Sequence, residues 1–148
     1  NHKKIAVAIA AMWKKALGVE STLSNQEFKV FLTTRKEKKQ TQAFRAGWIG
    51  DYNDPYTFLE LFSSTSKSND VGFKSEKFDQ LLTQAGQEQD LSKRAGILKE
   101  AEQEFTDAYA IAPIYSYVSK RLVKPYVKGY QANVMDHVPS KYLSIEKK

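Results

Sequence analysis

The segment 45–51 carries the residue types that most suggest a ligand site. Arg45 and Trp48 are followed by Gly50 and Asp51, so a cation, an aromatic ring and a carboxylate lie close together in the chain. Ligand groups in α/β folds gather just beyond strand ends, and glycine lets the backbone approach a bound chain closely. A glycine-assisted turn with a packed tryptophan would have the same sequence. From these residues alone, both interpretations stay open.

Two tyrosines form a second candidate group. Tyr115 and Tyr117 are two residues apart on a predicted strand, which places both side chains on one face of it. Packing at the edge of a core is the commoner arrangement for such a pair. The pair could equally line a pocket, since each ring offers apolar flanks and a hydroxyl group for hydrogen bonding.

A third group is the carboxylate pair of Asp51 and Asp54, a pairing that could serve acid–base catalysis as in glycosidases. Asp54, however, precedes Pro55 at a predicted helix start, where a carboxylate caps the helix and interacts well with its dipole. Capping accounts for Asp54 without catalysis, and neither a G-x-S-x-G motif nor a P-loop supplies another reactive group. The sequence therefore predicts no enzyme.

Composition narrows the remaining classes. There is no cysteine, and His2 and His137 are the only histidines, at opposite ends of the chain, so we predict neither a metal site nor a cofactor. The net charge of +6 comes from lysines that are interspersed with acidic residues, which is typical of a solvated surface rather than of a nucleic-acid interface. No apolar run approaches the ~20 residues that a membrane span requires.

The elements that would position these groups alternate between helix and strand. Apolar spacing predicts a helix over residues 5–17 that stops at Gly18, although Lys3 and Lys4 before an apolar run also resemble a signal peptide. Strands are predicted at 19–23, 43–48 and 111–118, with an extended segment at 121–130. Further helices are predicted after the caps Asn25, Ser75 and Asp90, and at Pro55. This order predicts an α/β fold with a mixed or parallel sheet.

Five ordered blocks of the chain resemble periplasmic oligopeptide-binding proteins, the family 5 solute-binding proteins of ABC transporters. They are W-I-G-D-Y-N-D-P at 48–55, S-E-K-F-D at 75–79, A-E-Q at 101–103, A-P-I-Y-S-Y-V at 112–118 and R-L-V-K-P-Y-V-K-G-Y at 121–130. The resemblance implies a type II periplasmic-binding-protein fold, with a mixed sheet flanked by helices. It also implies that residues 1–148 form a single C-terminal lobe of a larger two-lobed protein.

The resemblance also assigns roles to individual residues. Asp51 matches the aspartate that holds the α-ammonium group of a peptide, and a carboxylate facing a cation makes a strong charge-assisted bond. Arg45 matches an arginine that meets the C-terminal carboxylate of short peptides, for which a planar guanidinium is well suited. Arg35 aligns with a second arginine near the same end. Tyr117 would line the site, and Trp48 would form a pocket wall.

The chain departs from the family at one of these positions. Phe28 stands after Asn-Gln-Glu, where the family often carries tryptophan. If Phe28 lines a side-chain pocket, that pocket is roomier and lacks an indole N–H donor.

The implied function is peptide capture for import, in which two lobes close on the α-amino group and backbone of a peptide. A related binder of murein peptides, dipeptides or another solute is the alternative. The implied partners are short peptides, the membrane ABC permease and the N-terminal lobe, and not nucleic acid. The implied location is the periplasm or the outer face of the cytoplasmic membrane.

Overall fold

A computed structural model describes residues 2–38 and 41–146, which form two compact units, one within residues 1–45 and the other within 46–148. The second unit also contains two single 3₁₀ turns, Glu60–Phe62 and Ser140–Tyr142. The helices and strands are α1 His2–Leu17, α2 Phe28–Glu37, α3 Tyr56–Leu59, α4 Glu76–Gln87, α5 Leu91–Asp107, β1 Val127–Lys128 and β2 Ser144–Ile145.

The first unit contains α1 and α2. The predicted stop of α1 is confirmed: Gly18 adopts φ +70° and donates its N–H to the carbonyl of Lys14 at 3.1 Å, as in a left-handed C-terminal cap. The predicted cap of α2 at Asn25 is wrong. Glu27 caps that helix instead, and its side chain accepts the N–H groups of Lys29 and Val30, two and three residues later, at 2.9 and 3.4 Å.

The second unit is built on the helical pair α4 and α5, and its core lies between them. The predicted caps are confirmed, because the side chains of Ser75 and Asp90 accept the first free N–H groups of α4 and α5. Phe78 is fully buried, and its ring contacts those of Phe73 and Phe105 at 5.2 and 5.9 Å. The other buried apolar side chains are Leu59, Leu81, Leu82, Ala85, Leu98 and Ala101.

Within the residues that the structure describes, the only strand pairing is the short antiparallel ribbon of β1 and β2. Gly129, at φ +79°, is required beside this ribbon, because a Cβ atom there would lie 1.8 Å from the carbonyl oxygen of Tyr142.

The strands predicted at 19–23, 43–48 and 111–118 are not formed. An apolar alternation indicates a half-buried surface, but a strand also needs a hydrogen-bonded neighbour. Segment 111–118 has no ladder partner among residues 2–38 and 41–146, and Ile114 and Val118 are exposed. The predicted mixed sheet is therefore absent from this part of the fold. That residues 1–148 make up one lobe stays a prediction.

Candidate functional site

Asp51 lies in an exposed loop that is tied to a buried hydroxyl group. The backbone N–H of Asp51 donates to Oγ1 of Thr57 at 3.1 Å, and this hydroxyl in turn lies 3.5 Å from Oδ2 of the Asp51 carboxylate. Thr57 is fully buried, whereas Asp51 is exposed. The Asp51 carboxylate thus faces solvent, while the buried Thr57 side chain limits the orientation of that carboxylate. Such a group suits a cationic ligand.

Gly50 lets the chain pass close to α3 just before Asp51. A Cβ atom at this position would lie 3.2 Å from both the ring of Phe58 and the methyl group of Thr57. The close approach that was predicted at this glycine is therefore made to the protein's own helix.

Asp54 is a structural residue. Its Oδ2 and Oδ1 accept from Nη1 and Nη2 of Arg94 at 2.6 and 3.0 Å, and Oδ1 also accepts the N–H of Tyr56 at 2.8 Å. The hydrogen bonds from Arg94 hold the pKa of Asp54 below its ordinary value. The helix-start role predicted for Asp54 is confirmed. A carboxylate occupied by three donors is a poor acid–base partner for Asp51.

The next side chain in the loop, Tyr52, is also held. Its hydroxyl donates to Oε1 of Glu60 at 2.6 Å. Partial burial, and then this bond to a carboxylate, raise the pKa of Tyr52 to about 12. The loop 51–55 is thus fixed at Asp51, Tyr52 and Asp54 by contacts within its own unit.

The aromatic candidates of the second unit lie at its surface. Trp48 is 46% exposed and Tyr117 is 61% exposed. The rings of Tyr115 and Tyr117 meet edge to face at 5.0 Å, as expected for side chains on one face of an extended segment. Of the two arrangements considered for these tyrosines, packing against a core is not seen within the described residues, because half or more of each side chain is exposed.

Three further candidates belong to the first unit. Arg35 is half-buried with its guanidinium 5.7 Å from the ring centres of both Phe31 and Phe44, a cation–π arrangement. Arg45 is exposed, and Phe28 is 68% exposed. The aromatic contacts hold Arg35 in place, whereas Phe28 is free of any core role.

Comparison with known proteins identifies the family. Residues 1–70 match the family model for the middle part of bacterial extracellular solute-binding proteins of family 5. The chain is 44% identical over 147 residues to the periplasmic oligopeptide-binding protein OppA of Salmonella typhimurium, an alignment that covers 99% of the chain and 27% of that protein. The present chain belongs to the family 5 solute-binding proteins.

Solved structures of this family share the fold. The murein tripeptide-binding protein MppA of Escherichia coli superposes with a TM-score of 0.85 at 41% identity, over 99% of this chain and 29% of MppA. OppA of Haemophilus influenzae, in complex with the peptide RPPGFSPFR, gives 0.84 at 37% identity over the same shares. The predicted type II periplasmic-binding-protein fold is confirmed, and within the described residues its sheet is limited to the β1–β2 ribbon. The chain spans about a quarter of the length of the curated relatives it matches.

Two surface depressions of the second unit are lined by none of the predicted site residues. One, of about 470 Å³, lies between the start of α3 and α4 and is lined by Tyr56, Glu60, Ser63, Thr65, Ser66, Asp79, Leu82 and Thr83. Another, of about 360 Å³, runs along α4. Both are open to solvent. Among residues 2–38 and 41–146, no group of three or more potential ligands could hold a metal ion, and no helix is long and apolar enough to cross a membrane.

Sequence reasoning missed the supporting residues of the family 5 loop. Thr57 and Glu60 follow Asp51 closely in sequence, yet neither belongs to a recognisable motif. Arg94 lies 40 residues from its partner Asp54. Arginine is common on the exposed faces of helices, so its presence on a predicted helix does not indicate such a pairing. Only the three-dimensional structure brings these side chains to the loop.

Proposed function

We propose that this chain is part of a periplasmic protein that captures peptides for an ABC importer, with Asp51 as the group that binds the peptide α-ammonium. The observation that carries this proposal is the exposed Asp51 carboxylate, held at its backbone and Oδ2 by buried Thr57. An oriented carboxylate at the surface can form a charge-assisted bond to an ammonium group with little loss of side-chain freedom.

The other predicted residues complete this proposal. Arg45 and Arg35 would bind the carboxylate end of a short peptide, and Trp48, Tyr117 and Phe28 would line side-chain pockets. The exposure of Trp48, Tyr117 and Phe28 supports this proposal, because it leaves their rings available to contact a ligand, and aromatic side chains are enriched in binding interfaces. Relatives named for oligopeptide binding support the peptide class.

The mechanism involves binding and release without bond formation. A second lobe of the complete protein would close on the peptide and bury it, and the closed form would dock on the membrane permease. Neither catalysis nor nucleic acid has a place in this scheme. The relatives are named as periplasmic proteins, which supports a periplasmic location or, in an organism without an outer membrane, the outer face of the cytoplasmic membrane.

A specific observation favours a second candidate, a murein peptide. The murein peptide-binding protein MppA of Escherichia coli is also 44% identical, over 133 residues. Both candidates carry a peptide backbone, so the ligand class is shared and the difference concerns the side chains and the linkage that the pockets accept.

The deciding experiment is calorimetric titration of the complete protein with a tripeptide and with its N-acetylated copy. Loss of a hydrogen-bonded charge partner at an enclosed site costs at least about 2 kcal/mol, so acetylation and Asp51→Asn should each weaken binding about thirty-fold or more. Glu102→Gln, which removes an exposed carboxylate on α5, should change nothing. Equal affinity for both peptides would refute the ammonium clamp. A murein tripeptide bound much more tightly than ordinary tripeptides would assign the second candidate.

The 148-residue chain by itself should bind the tripeptide weakly or not at all. Affinity for small ligands depends on enclosure, and Trp48 and Tyr117 remain about half exposed or more when the second lobe is absent. Titration of the isolated chain beside the complete protein measures this difference. Millimolar or tighter binding by the isolated chain would contradict the two-lobed mechanism.

A further inference from the structure

Arg94 links three elements of the second unit through one guanidinium group. Its Nη1 and Nη2 donate to both carboxylate oxygens of Asp54, and its Nε donates to the carbonyl of Ala85 at 3.0 Å near the end of α4. Its Cζ also lies 5.9 Å from the ring centre of Tyr56. Because Arg94 itself is on α5, the helical pair and the loop before α3 are joined at this side chain. The side chains of Arg94 and Asp54 are only 19% and 29% exposed.

Asp54 passes this constraint along the loop to Asp51. The Asp54 carboxylate accepts the N–H of Tyr56, and the backbone carbonyl of Asp54 accepts the N–H of Thr57 at 3.2 Å. Its own N–H donates to the carbonyl of Tyr52 at 2.9 Å. Thr57 then holds Asp51 through its hydroxyl group. Each link in this series is a hydrogen bond of ordinary length, so a shift of Asp54 changes the position of Asp51.

We infer that Arg94 is a positioning residue for ligand binding, which acts through Asp54 to fix the orientation of the Asp51 carboxylate. This inference rests on the proposed function. Arg94 contacts no ligand in this scheme. It sets the geometry with which Asp51 meets an ammonium group, so its loss should affect the recognition of the amino terminus more than the rest of peptide binding.

The geometry requires arginine rather than any cation. A planar guanidinium can donate to two carboxylate oxygens and to a carbonyl at once, whereas a lysine ammonium is a point charge that cannot span all three acceptors. Arg94→Lys should therefore retain part of the positioning of Asp51, and Arg94→Gln should retain little of it. This graded order separates positioning from a simple requirement for positive charge.

The measurement is the ratio of the dissociation constants for the N-acetylated and the free tripeptide, determined by calorimetry on the complete protein. A variant that only reduces the folded fraction weakens both ligands equally and leaves the ratio unchanged. Arg94→Gln should lower the ratio about three- to ten-fold, the effect of releasing one ordered side chain and its loop. The ratio for Arg94→Lys should lie between the ratio for Arg94→Gln and that of the unchanged protein.

Two controls lie on the same helix. Lys93→Gln removes a neighbouring exposed cation, and Leu98→Val destabilises the core without touching the loop. Neither should change the ratio. Should Arg94→Gln fail to fold, Arg94→Lys and Asp54→Asn give the same test, because both weaken the bidentate pair without leaving a large void.

The outcomes separate this inference from the proposed function. A ratio that collapses in Asp51→Asn but stays within two-fold in the Arg94 and Asp54 variants would overturn the positioning role and leave the ammonium clamp standing. A ratio that Asp51→Asn does not change would overturn the clamp and with it this inference. A lowered ratio in Leu98→Val equal to that in Arg94→Gln would also overturn it, because any loosening of the helical pair would then produce the effect without the Arg94–Asp54 contacts.

Discussion

The hydroxyl group of Thr57 can be removed without changing the shape of the side chain. Thr57→Val deletes the acceptor of the Asp51 N–H bond at 3.1 Å and the weaker contact to Oδ2 at 3.5 Å. Only the first has ordinary hydrogen-bond length, so we expect a loss of about 1 kcal/mol in the free energy of unfolding. Thr57→Ser keeps the hydroxyl group and loses one buried methyl group, which also costs about 1 kcal/mol.

The two variants are thus matched in stability and differ in what they do to Asp51. Freeing the carboxylate adds the cost of ordering one side chain on binding, so Thr57→Val should weaken binding of a free tripeptide to the complete protein about two- to ten-fold. Thr57→Ser should bind as the unchanged protein does. The N-acetylated peptide, which has no ammonium group, should bind both variants alike.

Stability and binding are measured separately. Denaturant unfolding of the 148-residue chain can be followed by tryptophan fluorescence in a Trp13→Phe background, where Trp48 is the only tryptophan and reports on the unit that contains Thr57. Calorimetry then gives the affinities. Equal affinities for the free peptide in Thr57→Val and Thr57→Ser, at equal stability, would refute the role of the hydroxyl group in orienting Asp51.

Three further predictions concern folding and pH, and the same fluorescence assay tests each of them. Gly50→Ala should destabilise the chain by about 1–2 kcal/mol because its Cβ would crowd α3 at 3.2 Å, whereas Gly96→Ala, with open space in the interior of α5, should stabilise it by about 0.5–1 kcal/mol; the same sign for both would contradict the packing. Phe78→Ala should cost about 3–5 kcal/mol because the ring is fully buried, and Leu91→Ala, at an exposed position of the same unit, should cost little; similar losses would show that the core is misplaced. The lowered pKa of Asp54 contributes stability that is present above the unfolded-state value of about 3.9 and is lost as the pH falls through the folded-state pKa, so Asp54→Asn should flatten the acid dependence, and an unchanged acid limb would argue against the pair.

Local chemistry accounts for what could be predicted of the fold. Gly18, Ser75 and Asp90 end or begin helices as predicted, because a positive φ or a short side-chain acceptor acts on neighbouring residues whatever the rest of the chain does. The cap at Glu27 was missed because glutamate is a rare cap, and its choice over Asn25 depends on how the chain enters the helix. The predicted strands did not form because pairing is a property of two segments, and an alternating pattern describes only one of them.

For the candidate site, too, some residues could be predicted from the sequence and others could not. The sequence indicated the exposed loop at Asp51 through its glycine and proline neighbours, and the resemblance to a family supplied its role. No pattern pointed to Thr57 or Arg94, because their importance depends on contacts with Asp51 and Asp54 that become visible only in the folded chain. Neither residue type is unusual at its position, so periodicity could not single it out.

If Asp51 binds the peptide amino terminus as proposed, the fixed residues around it and the exposed residues elsewhere would have different roles in peptide recognition. Every peptide has an amino terminus, so a carboxylate that recognises it should be fixed, and Asp51 is attached through Thr57, Asp54 and Arg94 to the best-packed helices of the chain. Side chains differ between peptides, so the residues that meet them should be free to adapt. Phe28, in the first unit, is such a residue, with 68% of its surface exposed. Under the proposed function, selectivity among peptides would change at such exposed positions without disturbing either the fold or the proposed contact of Asp51 with the amino terminus.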